Sequence, residues 1–294
     1  GQDEESLVEE NLDALEKGIK NLEKHIENMQ SFNLPVIVAL NLYKNDSGAE
    51  SYYWNISWSS PTLSCGIEIN TINKQINNIY MLVIKEFQFN PFSENTYVIS
   101  DSETGECAII DAGCYYADEQ DILSGYIIEN NLKVKYLLAT HLHLDHNFGD
   151  RHVYNTFNVG LTAHPDDAFL LDNMKEQASM FGIQLQDPPI PIDHNVHEND
   201  IFKIGKYSLR AIHVPGHSPG SIIYYCKEEK IAFGGDVLFR GSIGRTDLPG
   251  GNYNQLITGI REKLFILPED TVIYSGHGPS TTIGFEKKQN PYLQ

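Results

Sequence analysis

The chain has 294 residues, 41% hydrophobic and 11% aromatic, with 21 Lys and Arg against 40 Asp and Glu for a net charge of −19. That is material for one or two domains with a sizeable core, and the charge argues against electrostatic binding to nucleic acid or to an anionic membrane. Four Cys (Cys65, Cys107, Cys114, Cys226) with no CxxC pair do not make a disulfide scaffold, no stretch approaches the roughly 20 apolar residues of a membrane span, and the acidic N-terminus does not resemble a secretory signal. The expectation is a soluble cytoplasmic protein with reduced thiols and no nucleic-acid or membrane partner.

In chain order, Leu12, Leu15, Ile19, Leu22, Ile26 and Met29 recur three and four apart, one apolar helix stripe. Asn33 is a stop signal and Pro35 forbids continuation. Val36 to Leu40 is a fully apolar run that suits a buried strand. The following 51–80 show neither the helical nor the strand period and are rich in Asn, Ile, Ser and Tyr. No nucleotide-binding Gly-rich loop accompanies this region. From Met81 the patterning becomes coherent. Strands are expected at 82–89, 95–100, 106–111, 133–139, 159–163, 207–214, 221–226, 230–235 and 271–275. Helices are expected at 117–130, 147–157, 166–180, 252–264 and 282–289. Residues 1–80 hold 12 acidic and five basic side chains, and 81–294 hold 28 and 16, so the acidity is shared by both parts.

The chemistry concentrates after the strand that ends at Ala139. Thr140-His141-Leu142-His143-Leu144-Asp145-His146 packs three His and one Asp into six residues. Imidazole and carboxylate hold Zn²⁺ and similar ions at about 2.0–2.2 Å, and such crowding gains nothing without an ion. Three isolated candidates follow in Gly-flanked turns: His217 in PGHSPGS, Asp236 in FGGD and His277 in SGHGP. Each alone is weak, because a lone His after a strand is usually a satisfied polar residue. Together they supply the ligands of a two-metal site.

The order HxHxDH, GHSPGS, GGD, GHG resembles the metallo-β-lactamase superfamily, over essentially all of 81–294. GDVLFRGSIGRTDLPGG and SGHGPSTTIGFEKKQNPYL are similar to its glyoxalase II-like, hydroxyacylglutathione hydrolase-like branch, in particular the short single-domain members. The resemblance implies an α/β (α+β) four-layer αββα sandwich with metals at one edge. It implies His141, His143 and His217 on a first metal, Asp145, His146 and His277 on a second, and Asp236 bridging both. The cofactor expected is two divalent ions, zinc before iron or manganese. Asp145 is also the expected catalytic residue, orienting a metal-bridging hydroxide and accepting its proton. Asp111, in IIDAG, and Ser221 are expected behind the ligands, fixing imidazole orientation; Asn95 in SENTYVI has a similar standing. His152, His164, His194, His197 and His213 match no ligand position.

Separately, LEKGIKNLEKHIENMQSFNLPVIVALNLYKNDSGAE resembles an internal piece of formate–tetrahydrofolate ligase, over about 8–50. One αβ unit cannot bury its own apolar faces, and Gly1 is not an initiator Met. Residues 1–80 are therefore read as a non-native or fragmentary extension fused to a protein that starts at Met81. The alternative is a genuine extension or docking domain.

The activity implied is hydrolysis of a small-molecule acyl thioester such as S-lactoylglutathione, whose thiolate needs little protonation to leave. The longer glyoxalase II enzymes carry a C-terminal helical domain for glutathione, and Gln294 comes too early for it. Arg245 falls where that family has a basic substrate contact, whereas Asp247 replaces the neighbouring aromatic one. One rival is a mono-iron persulfide dioxygenase on the same fold, using His141, His217 and Asp236. Another is a folate-related binding role for 1–50.

Overall fold

From Leu82 onward the chain lays down two six-stranded sheets in succession. The computed structural model describes residues 81–294; the helix expected over 12–29 and the strand over 36–40 lie outside the described residues. The first sheet comprises β1 (Leu82–Phe89), β2 (Glu94–Asp101), β3 (Glu106–Ile110), β4 (Lys133–Leu138), β5 (Leu161–Ala163) and β6 (Ile192–Asn195), side by side in that order. β1 to β3 form an antiparallel meander, and β3 to β6 pair in parallel. Parallel pairing needs crossovers. These are α1 (Ala117–Glu129), α2 (Asp150–Phe157), and the pair α3 (Ala168–Asp172) and α4 (Met174–Met180).

The second sheet takes β7 (Ile201–Ile204), β8 (Tyr207–His213), β9 (Ile222–Cys226), β10 (Ile231–Gly235), β13 (Val272–Ser275) and β14 (Thr281–Thr282), in the order β14-β13-β10-β9-β8-β7. Only β10 and β13 pair in parallel. Between them run the hairpin β11 (Leu238–Phe239) and β12 (Ser242–Ile243), then α5 (Tyr253–Gly259), which continues as a π-helical turn Ile260–Leu264. α6 (Ile283–Gln289) follows β14.

Strand alternation sorts the side chains into three cores. Tyr97, Ile99, Ala108, Ile110 and Leu138 face Leu209, Ile222, Tyr224 and Phe233 between the sheets. On the outer side of the first sheet, Val98, Ile109 and Leu137 meet Leu123 and Ile127 of α1 and Leu170 and Met174 of α3 and α4. On the outer side of the second, Ile223, Tyr225 and Ala232 meet Leu256, Ile260 and Leu264. Helix, sheet, sheet, helix is the four-layer αββα order that the resemblance implies.

The structure departs from the expected elements at three kinds of place. β6, β7, β11, β12 and β14 are short and mostly edge or hairpin strands; the run IDHN of β6 is largely exposed, so no apolar pattern marks it. The helix expected over 166–180 breaks at Asn173, whose φ of −104° and ψ of 17° leave the helical region. The helix expected from 147 starts at Asp150, because Asn147 spends its side chain on the loop before it: Nδ2 donates to the carbonyls of His141 and His143 at 3.1 and 2.7 Å.

The sheets are stitched together at one end. Ile222 N–H donates to Thr140 O at 2.7 Å, Tyr224 Oη to Ala139 O at 2.9 Å and Tyr97 Oη to Ser275 O at 2.7 Å. At this end β3, β4, β10 and β13 reach their C-termini, so Asp111, the 140–146 loop, Asp236 and His277 emerge together. No helix among the described residues is long and apolar enough to cross a membrane.

Among the described residues, which begin at Met81, three apolar cores are already formed. A chain of 81–294 alone is therefore expected to be soluble and to melt cooperatively. Aggregation of that piece while the full chain stays soluble is the outcome that overturns this.

Candidate metal centre

Thr140 sets the first group. Its N–H and Oγ1–H both donate to Asp111, at 2.6 and 2.7 Å. With its proton given to Asp111, Thr140 Oγ1 accepts from His141 Nδ1–H at 3.1 Å. That leaves His141 Nε2 with its lone pair. His217 Nδ1–H donates to Arg245 O at 2.8 Å, and a carbonyl only accepts, so Nε2 of this ring is also a lone pair. These two nitrogens lie 3.2 Å apart, and His143 Nδ1 lies 2.9 Å from His217 Nε2. All three rings are buried. Burial, then the neighbouring imidazoles, push His141 well below the usual imidazole range; burial and His217 push His143 down to about 3. The lone pairs of His141 Nε2 and His217 Nε2, facing one another, call for a cation between them.

His146 and His277 face the same space from the other side. His146 Nδ1–H donates to Asp111 Oδ2 at 3.0 Å, and His277 Nδ1–H to Phe92 O at 3.1 Å. His146 Nε2 then lies 3.4 Å from Asp236 Oδ1, and His277 Nε2 lies 3.2 Å from Asp145 Oδ2. Asp236 Oδ2 sits 3.7 Å from His217 Nε2 and 3.7 Å from His277 Nε2, so its carboxylate stands between the two groups. His146 Nε2 and Asp236 Oδ1 are buried without a hydrogen-bond partner, a condition that native proteins rarely leave uncompensated. Burial works against charge here, yet Asp236, Asp145 and Asp111 hold His146 well above the usual range. Conversely, His146, His217 and His277 hold Asp236 well below its own.

Two glycines admit this closeness. A Cβ on Gly235, which has φ of 46°, would sit 2.2 Å from Thr140 Oγ1. A Cβ on Gly276 would sit 2.3 Å from Asp236 Oδ1 and 2.6 Å from His146 Cε1. Any larger residue would push the strand ends apart.

The seven residues expected as ligands thus converge: His141, His143 and His217 form one group that could hold an ion, and Asp145, His146 and His277 another. Asp111 lies behind His146 and His141 as described, in the left-handed region at φ 54°. Asn95 Nδ2 donates to the carbonyls of Ser275 and Gly278, at 3.0 and 2.9 Å, on either side of His277. Among the described residues, Ser221 hydrogen-bonds no imidazole: its hydroxyl lies 2.8 Å from Ser218 Oγ and accepts from Ser218 N–H, so it shapes the turn instead. The Arg245 guanidinium forms a two-pronged pair with Asp247, both contacts at 2.7 Å. That is the surface-pair arrangement, with the side chains 54% and 69% exposed.

Several supporting groups have no sequence signature. Asp167 is fully buried and accepts from Leu142 N–H, Ser218 Oγ–H and Gly220 N–H at 3.2, 2.7 and 2.6 Å. It joins the His141–His146 loop to the His217 loop, from a position that motif spacing does not mark. Thr140, Asn147 and the Phe92 carbonyl are similar: each holds a loop or a ring and none is a ligand type.

The model of the metallo-beta-lactamase superfamily matches residues 89–277, and that of formate–tetrahydrofolate ligase matches residues 1–60. Hydroxyacylglutathione hydrolase GloC of Haemophilus influenzae is 42% identical over 203 residues, 69% of this chain and 93% of that protein. Among solved structures, the BLEG-1 B3 metallo-β-lactamase is 35% identical with a TM-score of 0.64, covering 72% of this chain and all (100%) of that one. TTHA1623 in a di-iron-bound form is 32% identical with a TM-score of 0.64, covering 71% and 100%. ETHE1 of Myxococcus xanthus is 25% identical with a TM-score of 0.58, covering 71% and 83%. With a family model across most of the chain and the ligand-type residues gathered at one sandwich edge, this chain belongs to the metallo-β-lactamase superfamily.

Proposed function

We propose that the chain is a binuclear metallohydrolase that cleaves a small acyl thioester, S-lactoylglutathione or a close relative. The observation that carries this is the pair of ligand-type groups, His141/His143/His217 and Asp145/His146/His277, with Asp236 between them. His141, His143 and His217 would hold one divalent ion, Asp145, His146 and His277 the other, and Asp236 both. Zinc suits this nitrogen-rich set; the di-iron form of TTHA1623 makes iron the next choice. Such a pair of ions supplies a nucleophilic water at neutral pH and polarises a carbonyl.

The protein's own residues prepare the site. Thr140, Asp111, Arg245 O and Phe92 O each accept a hydrogen bond from one imidazole N–H and so aim the opposite nitrogen inward. Asp145 is the proton acceptor in this reading. Although burial raises its affinity for a proton, His146 and His277 hold its carboxyl below the usual range. The identity to GloC supports the thioester class, and the free, buried Cys107, Cys114 and Cys226 fit a reducing, cytoplasmic setting. The second reading is a mono-iron persulfide dioxygenase using His141, His217 and Asp236, which the likeness to ETHE1 keeps open.

Asp236→Ala is expected to abolish turnover and lose more metal than any other single change. His277→Ala is expected to abolish thioester turnover and lower the metal content by one ion. Retention of a single iron and of oxygen consumption with glutathione persulfide by His277→Ala would establish the dioxygenase instead.

Asp111→Asn keeps the size of the side chain but removes the charge that holds His146 Nδ1–H and Thr140. A loss of metal affinity of about ten- to hundred-fold is expected, read by chelator competition. Unchanged affinity would mean that Asp111 is only a turn residue.

So exposed a pair is weakly held, so a substrate carboxylate can compete for Arg245. Arg245→Ala is expected to raise KM for S-lactoylglutathione about ten- to hundred-fold with kcat little changed. A small uncharged thioester should be unaffected. Equal kinetics on both, the same as those of the unmodified protein, would point to a different acyl substrate.

A further inference from the structure

The β11–β12 hairpin joins two parts of the metal centre. Asp236 comes just before β11, and Arg245, whose carbonyl holds His217 Nδ1–H at 2.8 Å, comes just after β12. At the base of the hairpin, Gly244 N–H donates to Val237 O at 3.2 Å. A Cβ on Gly244 would overlap the Asp236 carbonyl and meet His217 Cβ at 3.1 Å. A shift of the hairpin therefore moves Asp236 and the support of His217 together. The hairpin cannot hold itself in place: each of its strands is only 2 residues long, and even longer isolated hairpins are marginal in water.

We propose that Glu286 of α6 and Asn290 at its end are positioning residues of the metal centre, which fix the hairpin from outside and with it the places of Asp236 and His217. Both side chains are fully buried. The Glu286 carboxyl accepts from Gly241 N–H at the hairpin turn, with its two oxygens at 3.1 and 3.2 Å. It also accepts from Thr281 Oγ1–H and, at 2.7 Å, from Asn290 Nδ2–H. Asn290 Nδ2 donates its other hydrogen to Ser242 O at 2.9 Å, and Asn290 Oδ1 accepts from Tyr292 N–H at 3.0 Å. Two consecutive hairpin residues, Gly241 and Ser242, are thus tied to side chains one helical turn apart. Neither tie is needed to start α6, whose cap is Thr282: its Oγ1 accepts from Phe285 N–H at 3.2 Å. A buried carboxyl is costly unless its oxygens are satisfied, and here the hairpin supplies one of the donors that satisfy them.

A separate tie holds the other strand. Ser275 Oγ–H donates to Leu238 O at 2.7 Å, so β11 is held from β13. The turn and β12, which lead on to Arg245, are held from α6. Glu286 and Asn290 therefore act on the His217 side through the backbone, without touching a ligand. The inference rests on the reading of Asp236 and His217 as metal ligands.

The test is zinc affinity of the full chain, stripped by chelator and titrated in competition with a chromogenic zinc indicator, well below the unfolding temperature. Glu286→Leu keeps the bulk and removes every acceptor, Asn290→Ala removes the tie to Ser242, and Glu286→Gln retains one oxygen for Gly241 N–H. Glu286→Leu and Asn290→Ala are expected to bind zinc about ten-fold more weakly, and Glu286→Gln to recover most of that loss. Leu123→Ala, in the core beneath α1, lowers the melting temperature without touching the hairpin and is expected to leave zinc affinity unchanged. Unchanged affinity in Glu286→Leu and Asn290→Ala, or an equal loss in Leu123→Ala, overturns the proposal. An unmodified chain that binds no zinc overturns the metal-centre reading and this proposal with it. Should the variants not fold, amide exchange of the unmodified chain decides, because coupling between clamp and metal is reciprocal. Saturating zinc is expected to slow exchange of the Gly241 N–H, and unchanged exchange there overturns the proposal.

Discussion

Lone pairs aimed at lone pairs are the constraint around which this end of the molecule is organised. His217 Nε2 and His141 Nε2 stand 3.2 Å apart with their protons committed elsewhere. Buried acceptors without a donor are among the more destabilising features a fold can contain. Here the two sheets press several of them together, and the strand ends are locked by hydrogen bonds from Ile222, Tyr224 and Tyr97. The αββα sandwich supplies the rigidity, since its three apolar cores hold β3, β4, β10 and β13 at fixed heights. Relaxing the repulsion would mean moving a strand end, which the packed cores oppose.

This arrangement explains why the supporting residues are polar and buried. Asp111 accepts hydrogen bonds from Thr140 twice and from His146 once. Asp167 accepts three from two different loops. Each carboxylate is a hub that converts a flexible turn into a fixed one. Glu119 plays the same part farther out, accepting from the N–H groups of Asn90, Tyr115 and Tyr116 and so tying the β1–β2 turn to the start of α1.

The ligand-type residues were legible because their chemistry is local: HxHxDH crowds its side chains within one loop, and Gly flanks His217, Asp236 and His277. The long strands were legible through alternation, as in β2 and β9. What escaped the sequence was whatever depends on a partner far along the chain. Asp167 acquires its role only when Leu142 and Gly220 arrive from different loops. Ser221 sits in a motif yet turns to Ser218 rather than to a ring. The short strands β6 and β14 are strands because a neighbour pairs with them, not because of their own composition. Arg245 has the right chemistry for an anionic handle, and only its geometry shows that Asp247 already occupies it.

The contact between His141 and His217 spans 76 residues of chain, and that between Asn95 and the carbonyl after His277 spans 183. Contacts of such long range form only after large loops have closed, and closing them is slow. A folding chain therefore cannot be templated by its ions at an early stage, since no short segment presents more than part of a ligand group. The loop 140–146 can at most hold an ion loosely until the second sheet docks. Order of assembly is thus built into the topology: sandwich first, tight coordination last. Bound ions would then act chiefly as a latch, slowing the opening of the finished fold rather than speeding its formation.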